Sequence, residues 1–347
     1  CRVLAYEYSY RKSLIVNDYI HHKHDCLDSL FKGDLWIQDN ETVRQFIEWM
    51  REYNEMEEEQ DLIHFMGIDN QVDAMELEDV LQQIQAYMPT LELDRELFPC
   101  NVEGKKEVRY ENMSKAEYKE IKYALLQLKT QVNFHGILHA GARTLSNINV
   151  AHQLVRSLQD SHEFLFLLYA EGENIRDRQL AENVQRIVQA GGGDFKVAIW
   201  AHNAHVANNP HYLPDGSPSM GWYLRDSYKQ TYLSVATSFS LGQFTAVMLD
   251  STGTETTPMT CRIQTEPPQG SLNAIFHQAR FPQFLLDIRN LDPDSFLYHF
   301  FDEDRPMIGV GDLYLGSPEL HFTNDRIINM AQAHDLLFYY RDTRPLL

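Results

Sequence analysis

Four short apolar runs that do not alternate with polar residues, Val3 to Tyr6, Leu62 to Ile68, Phe164 to Tyr169 and Val197 to Trp200, constrain this chain more than any other feature. A strand with one wet face alternates, whereas a short continuous run fits a strand covered on both faces, as in a parallel sheet. Amphipathic stretches lie between the runs. Val43, Phe46, Ile47 and Met50 fall at helical spacing, with Asp39 or Asn40 placed to cap that helix. A second helix, Ile175 to Ala190, is stopped by Gly191, Gly192 and Gly193, and a strand follows at once. The alternation predicts a layered α/β fold with a mostly parallel sheet, whose ligands bind at the carboxyl ends of the strands.

The 347 residues suffice for one large domain, or for one with a lobe. Lys and Arg number 30 against 50 Asp and Glu, a net charge of −20 that repels phosphate backbones and predicts no nucleic-acid partner. No apolar run approaches the ~20 residues of a membrane span. Cys1, Cys26, Cys100 and Cys261 lie far apart and form no zinc or disulfide pattern. The chain opens at Cys1 inside an apolar run, so its native start is expected upstream; the cytoplasm is favoured as location, with export left open. Acidic residues crowd Glu52 to Asp61, which reads as a solvated segment, and the Pro-rich stretch Asn208 to Ser219 reads as a loop bordering a site. Beyond Leu291 the pattern becomes short helices and a late strand, Leu336 to Tyr340.

The strand ends hold the chemistry. His202 and His205 follow the strand Val197 to Trp200, where an imidazole can exchange a proton near neutral pH; histidines that merely cap an element would show the same spacing. Glu7 closes the strand Val3 to Tyr6 and Asp69 closes the one ending at Ile68, giving carboxylates at two further ends. Asn174 and Asp177 approximate a capping box, but Arg176 and Arg178 put two cations into a first helical turn, against the helix dipole. Such a breach marks a site or an ion pair made elsewhere. His21, His22 and His24 read as surface histidines. No metal motif, nucleophile elbow, P-loop or dinucleotide fingerprint occurs, so water is the expected nucleophile.

Lys196-Val-Ala-Ile-Trp-Ala-His-Asn-Ala-His205, then Met220-Gly-Trp-Tyr-Leu-Arg225, Ser238-Phe-Ser240 and Gly242-Gln-Phe-Thr245, form an ordered set that resembles the erythromycin esterase family. The likeness extends through Glu48 to Asn54, Gly67-Ile-Asp69-Asn-Gln71, Arg176-Asp177, Leu286-Asp287-Ile-Arg289, Arg305-Pro-Met307 and Thr343-Arg-Pro-Leu346, covering essentially the whole chain as one domain. What the resemblance implies is a three-layer α/β/α domain with a helical lobe, here at about residues 72–135, over a deep cleft. It also implies that a histidine of a Gly-Glu-x-x-His-Gly motif activates water to open a macrolide lactone without metal or cofactor. Nothing in this sequence supplies that motif; His135-Gly136 lacks the glutamate, and the family's N-terminal strand and helix are expected before Cys1.

By motif, Glu7 matches the family's second-strand glutamate, His202 its substrate-polarising histidine and Arg176 the arginine of its Arg-Asp pair. These three are the expected catalytic residues. His205, Asp69, Gln71, Asn203 and Trp222 are the expected substrate-binding ones. The resulting expectation is a metal-independent hydrolase of a small ester or lactone. Its rivals are an enzyme acting on acylated glycans, or exopolysaccharide, and a non-catalytic binding module in which His202 and His205 could ligate haem.

Overall fold

The computed structural model describes residues 1–27, 39–71, 73, 76–98, 109–138, 142–192, 195–211, 216–248, 254–311, 313–316 and 327–345. Cys100, Gly193 and part of the Pro-rich stretch, residues 212–215, lie outside them. The fold is α/β, in two compact units: Cys1–Asp25 with Arg51–Trp200, and Cys26–Met50 with Ala201–Leu347.

The first unit runs β1 (Val3–Ser9), α1 (Tyr10–Ile20), the end of α2 (Glu41–Met56) from Arg51, β2 (His64–Asp69), α3 (Leu77–Tyr87), α4 (Lys115–Leu138), α5 (Ala142–Phe166), α6 (Arg176–Gly191) and β3 (Val197–Trp200). Its sheet is parallel throughout, in the order β2-β1-β3. Three of the four expected strands are there. β1 is covered on both faces as its composition demands, but β3 alternates, with Ala198 and Trp200 exposed. The fourth run, Phe164 to Tyr169, is no strand: it ends α5 and continues as a π-helical turn, Leu167–Glu171, closed by Gly172 at φ 70°. A short apolar run has no period of its own, and here it is the buried end of a 25-residue helix, with Phe164, Leu165 and Phe166 in the core.

That core is helical. Leu77, Val80, Leu81 and Ile84 of α3 recur at three- and four-residue spacing and meet Leu125, Leu128 and Val132 of α4 and Leu154, Val155 and Leu158 of α5. His162 of α5 sits inside this cluster, bonded to the Tyr110 hydroxyl at 2.8 Å and the Tyr118 carbonyl at 3.0 Å. Within this unit Asn54, near the end of α2, accepts from the Ile63 amide with Oδ1 and donates with Nδ2 to the Ile20 and Ile63 carbonyls. At the start of α2 the Val43 amide bonds Asn40 Oδ1 at 3.1 Å, so Asn40 is the cap, while Asp39 pairs with Arg44.

The second unit holds α7 (Asn203–Val206), α8 (Met220–Tyr228), β4 (Val235–Met248), β5 (Met259–Ile263), α9 (Leu272–His277), β6 (Gln283–Asp287), α10 (Phe296–Phe301), β7 (Arg305–Pro306), β8 (Leu313–Tyr314), β9 (Ile327–Ile328), α11 (Met330–Ala333) and β10 (Leu336–Thr343). Here the sheet is mixed: β4 lies parallel to β10 and β8 and antiparallel to β5, and β6 is antiparallel to β10. Phe276, Phe301, Leu337 and Tyr339 dominate its core. Asn273, fully buried on α9, donates to Ser238 Oγ and the Phe239 carbonyl and accepts from the Ile308 amide, which gives the Ser238-Phe-Ser240 motif a packing role. No helix among the described residues is long and apolar enough to cross a membrane.

Candidate functional site

The first cluster starts from an irregularity in β1. Tyr6 pairs with Gly67 and Ser9 with Asp69, so three steps along β1 match two along β2, and Glu7 and Tyr8 sit in the resulting bulge. A bulge takes a side chain off the regular alternation and re-aims it. Gly67 makes the bulge possible. A Cβ there would fall on the carbonyl oxygens of Tyr8 and Ser9 and lie 2.6 Å from the Ser9 carbonyl carbon, so any other residue would push the bulged chain away.

Arg176, the first residue of α6, closes the cluster. Its Nη2 donates to Glu7 Oε1 at 2.7 Å and to Asp69 Oδ2 at 2.8 Å, and its Nε reaches Asp69 Oδ1 at 3.3 Å. The cation that opposed the helix dipole is thus taken up by two carboxylates at the carboxyl ends of parallel strands. All three side chains are mostly buried, at 19% exposure for Arg176, 23% for Glu7 and 13% for Asp69. Burial works against the charge on Arg176, but Asp69 and Glu7 together outweigh it and hold the guanidinium protonated beyond its ordinary range. Asn174 Oδ1 accepts from the Arg176 amide at 3.0 Å, in the turn that opens α6. The exposed Gln71 contributes its backbone, whose amide donates to Asp69 Oδ1 at 3.1 Å. Arg178 points to solvent.

The second cluster belongs to the other unit. His202 caps α7: its Nδ1 accepts from the Ala204 amide at 3.1 Å, which in the neutral ring leaves the proton on Nε2 as a donor. Its ring meets that of His205 edge to face, centroids 6.4 Å apart, and His205 is buried. Asn203 works as a strand neighbour would: Nδ2 donates to the Thr237 carbonyl at 2.6 Å while Oδ1 accepts from the Thr237 amide at 3.0 Å.

The far end of α7 is held as firmly. The Val206 carbonyl accepts from Tyr232 Oη at 2.7 Å and Ser234 Oγ at 2.6 Å, and the Ala207 carbonyl accepts from Ser219 Oγ. Ser234 Oγ lies in turn 2.8 Å from Nδ1 of fully buried His334, whose titration burial pushes down to about 3. Gly221 of α8 lies where a Cβ would strike the Val206 and Ala207 carbonyls. The next residue, Trp222, is half-buried and meets Tyr223 edge to face.

Sequence reasoning missed two groups. His21, read as a surface histidine, has Nε2 3.0 Å from Nδ1 of His64, and burial, then the neighbouring His64, Lys23 and His22, push it down to about 4. The other is Asp73, fully buried and bonded to Ser9 and Ser157. Its only signal was a third acid shortly after Asp69. No group of three or more His, Cys, Asp or Glu arranged for a metal ion occurs among the described residues.

Strands carrying acids at their carboxyl ends, joined by an arginine at a helix start, define an α/β protein with a built polar site on its parallel sheet. The chain belongs to the erythromycin esterase family, whose sequence profile matches residues 1–343. It is 30% identical over 134 residues to the Bacillus subtilis (strain 168) protein YbfO, which carries a provisional hydrolase name; that match spans 36% of this chain and only 28% of YbfO. Among solved structures it is similar to a Bacillus cereus protein, with TM-score 0.72 at 18% identity over 99% of this chain and 81% of the other. A succinoglycan biosynthesis protein follows, with TM-score 0.69 at 17% identity over 99% and 80%. A histidine-to-asparagine mutant of the erythromycin esterase EreC, in its open conformation, gives TM-score 0.65 at 14% identity over 98% and 83%. At these identities the likeness is one of fold.

Proposed function

We propose that this chain is a hydrolase that opens an ester or lactone bond with water as the nucleophile. The observation that carries the reading is the Arg176 guanidinium joining Glu7 and Asp69 at the ends of β1 and β2. A carboxylate held in place by a fixed cation can accept a hydrogen bond from the attacking water and align it. His202 is proposed from its motif alone as the residue that polarises the substrate carbonyl, the role the family likeness gives it. Arg176 orients Glu7 and adds positive potential. Asp69 and Gln71 in the first unit, and Asn203, His205 and Trp222 in the second, are proposed as substrate-binding residues from their motifs.

The family's name and the hydrolase name of YbfO support the reaction class. A macrolide lactone is the first substrate proposed, after the family. An acylated glycan is the second, favoured by the name of the succinoglycan biosynthesis protein of similar fold. The test is a panel of aryl esters, macrolides and acylated glycans with the wild type, Glu7→Gln and His202→Asn. The asparagine keeps an acceptor for the Ala204 amide while removing the ring donor, and turnover should fall ~10²-fold or more. Unchanged kinetics in either variant would remove that residue from the mechanism, and activity on glycans alone would remove the macrolide.

A further inference from the structure

We propose that Asp73 is the positioning residue of the Glu7 bulge: through Ser9 it pins β1 where the chain leaves the ladder, and so sets the direction in which the Glu7 carboxylate meets Arg176. The inference deepens the hydrolase reading and rests on it for its kinetic consequences alone.

Asp73 has no exposed surface. One oxygen accepts from Ser9 Oγ at 2.7 Å and the other from Ser157 Oγ of α5. Ser9 ends β1, pairs with Asp69 directly after the bulge, and caps α1 by accepting from the Lys12 amide at 3.3 Å. The bulge is therefore bounded on both sides: Gly67 gives it room, and the Asp73–Ser9 bond fixes the residue at which pairing resumes. Ser157 stands 3.0 Å from Asn70 Oδ1, which ties the segment after β2 to the same helix.

A carboxyl group is an expensive way to make such a tie. Burial pushes Asp73 up to about 6 even though Ser157, Ser9 and the nearby Arg11 pull it down, and Asp69 adds to the rise. A neutral side chain could bridge two serines without that cost. What the carboxylate adds is two acceptors in one rigid plane, two residues along β1 from Glu7 at one end and on α5 at the other.

Hydrogen exchange on the full chain, read by mass spectrometry, tests the tie without any substrate. Asp73→Asn keeps the shape but turns one acceptor into a donor; Ser9→Ala deletes the link and leaves Asp73 bonded to Ser157, so the test survives if the first variant folds poorly. Exchange in the peptide covering residues 3–9 should accelerate roughly 10-fold in both variants as that segment opens locally. Ser157→Ala, which cuts the tie only at its α5 end, should loosen the middle of α5 and accelerate residues 3–9 less than Ser9→Ala does. With a substrate the wild type turns over, Ser9→Ala should lower kcat roughly 10- to 100-fold, as a displaced catalytic group does, and hold KM within about threefold. Unaltered exchange at residues 3–9 in Ser9→Ala, or a raised KM at constant kcat, overturns the proposal. If the wild type hydrolyses nothing while exchange changes as described, the hydrolase reading fails and the positioning of Glu7 stands. If it hydrolyses a substrate while exchange stays unaltered, the positioning fails and the hydrolase reading stands.

Discussion

Replacing Arg176 by Met keeps much of its aliphatic stem and removes the cation that Glu7 and Asp69 share. Because both carboxylates touch the same Nη2, their oxygens can be no farther apart than the sum of 2.7 and 2.8 Å. At that separation two like charges repel by about 3 kcal/mol at an effective dielectric near 20. The lost charge-assisted hydrogen bonds add to this, and partial exposure of all three groups subtracts, so a net loss of about 2–4 kcal/mol is expected. Chemical denaturation at pH 7 measures it. Asp69→Asn placed on top of Arg176→Met should recover part of the stability, since one charge of the repelling pair is gone. A loss below about 0.5 kcal/mol, the size of an exposed pair, or a double variant no more stable than Arg176→Met, would refute the claim that this arginine neutralises two buried acids.

Gly67→Ala should cost about 3 kcal/mol, the upper end of overpacking, because the clash is with backbone carbonyls that cannot rotate away; thermal unfolding within one degree of wild type would contradict it. Asn203→Asp sets a carboxylate oxygen against the Thr237 carbonyl, so its stability should fall at pH 7 and recover at acid pH, which a pH series of unfolding curves would show. The buried neutral histidines give a slope of their own. His162 and His21 are pushed down to about 4 and His334 to about 3, mainly by burial, so folding favours their uncharged forms. Their contribution is complete above the ordinary histidine value of about 6.5 and is lost as pH falls toward 4. His334→Asn should flatten stability across that window; an unchanged slope would mean His334 carries a proton in the folded protein.

Much of this was legible in the sequence, for reasons that differ from residue to residue. Val3 to Tyr6 could be recognised because buried parallel strands have few other compositions, whereas Val197 to Trp200 is a parallel strand with one exposed face that its composition did not show. Arg176 stood out by breaking the helix-dipole rule, and its two carboxylate partners are the reason. Phe164 to Tyr169 misled because a continuous apolar run is equally the end of a buried helix. His21 could not be found from its neighbours in sequence, since the group that defines it, His64, lies far along the chain and is brought beside it only by folding. The roles of Asp73 and Gly67 were hidden for the same reason: their meaning comes from Ser9 and Tyr8, brought to them by the pairing of β1 with β2.

The bulge at Glu7 sets the chain's length against its chemistry. Deleting one residue between Tyr6 and Ser9 would let β1 and β2 pair without interruption, and the ladder would gain regularity. The same deletion would return the acid to the ordinary alternation of a strand and swing it away from Arg176. A more regular sheet and the Glu7–Arg176 contact therefore make opposite demands at a single residue, and the bulged sheet is the one that holds the acid beside Arg176.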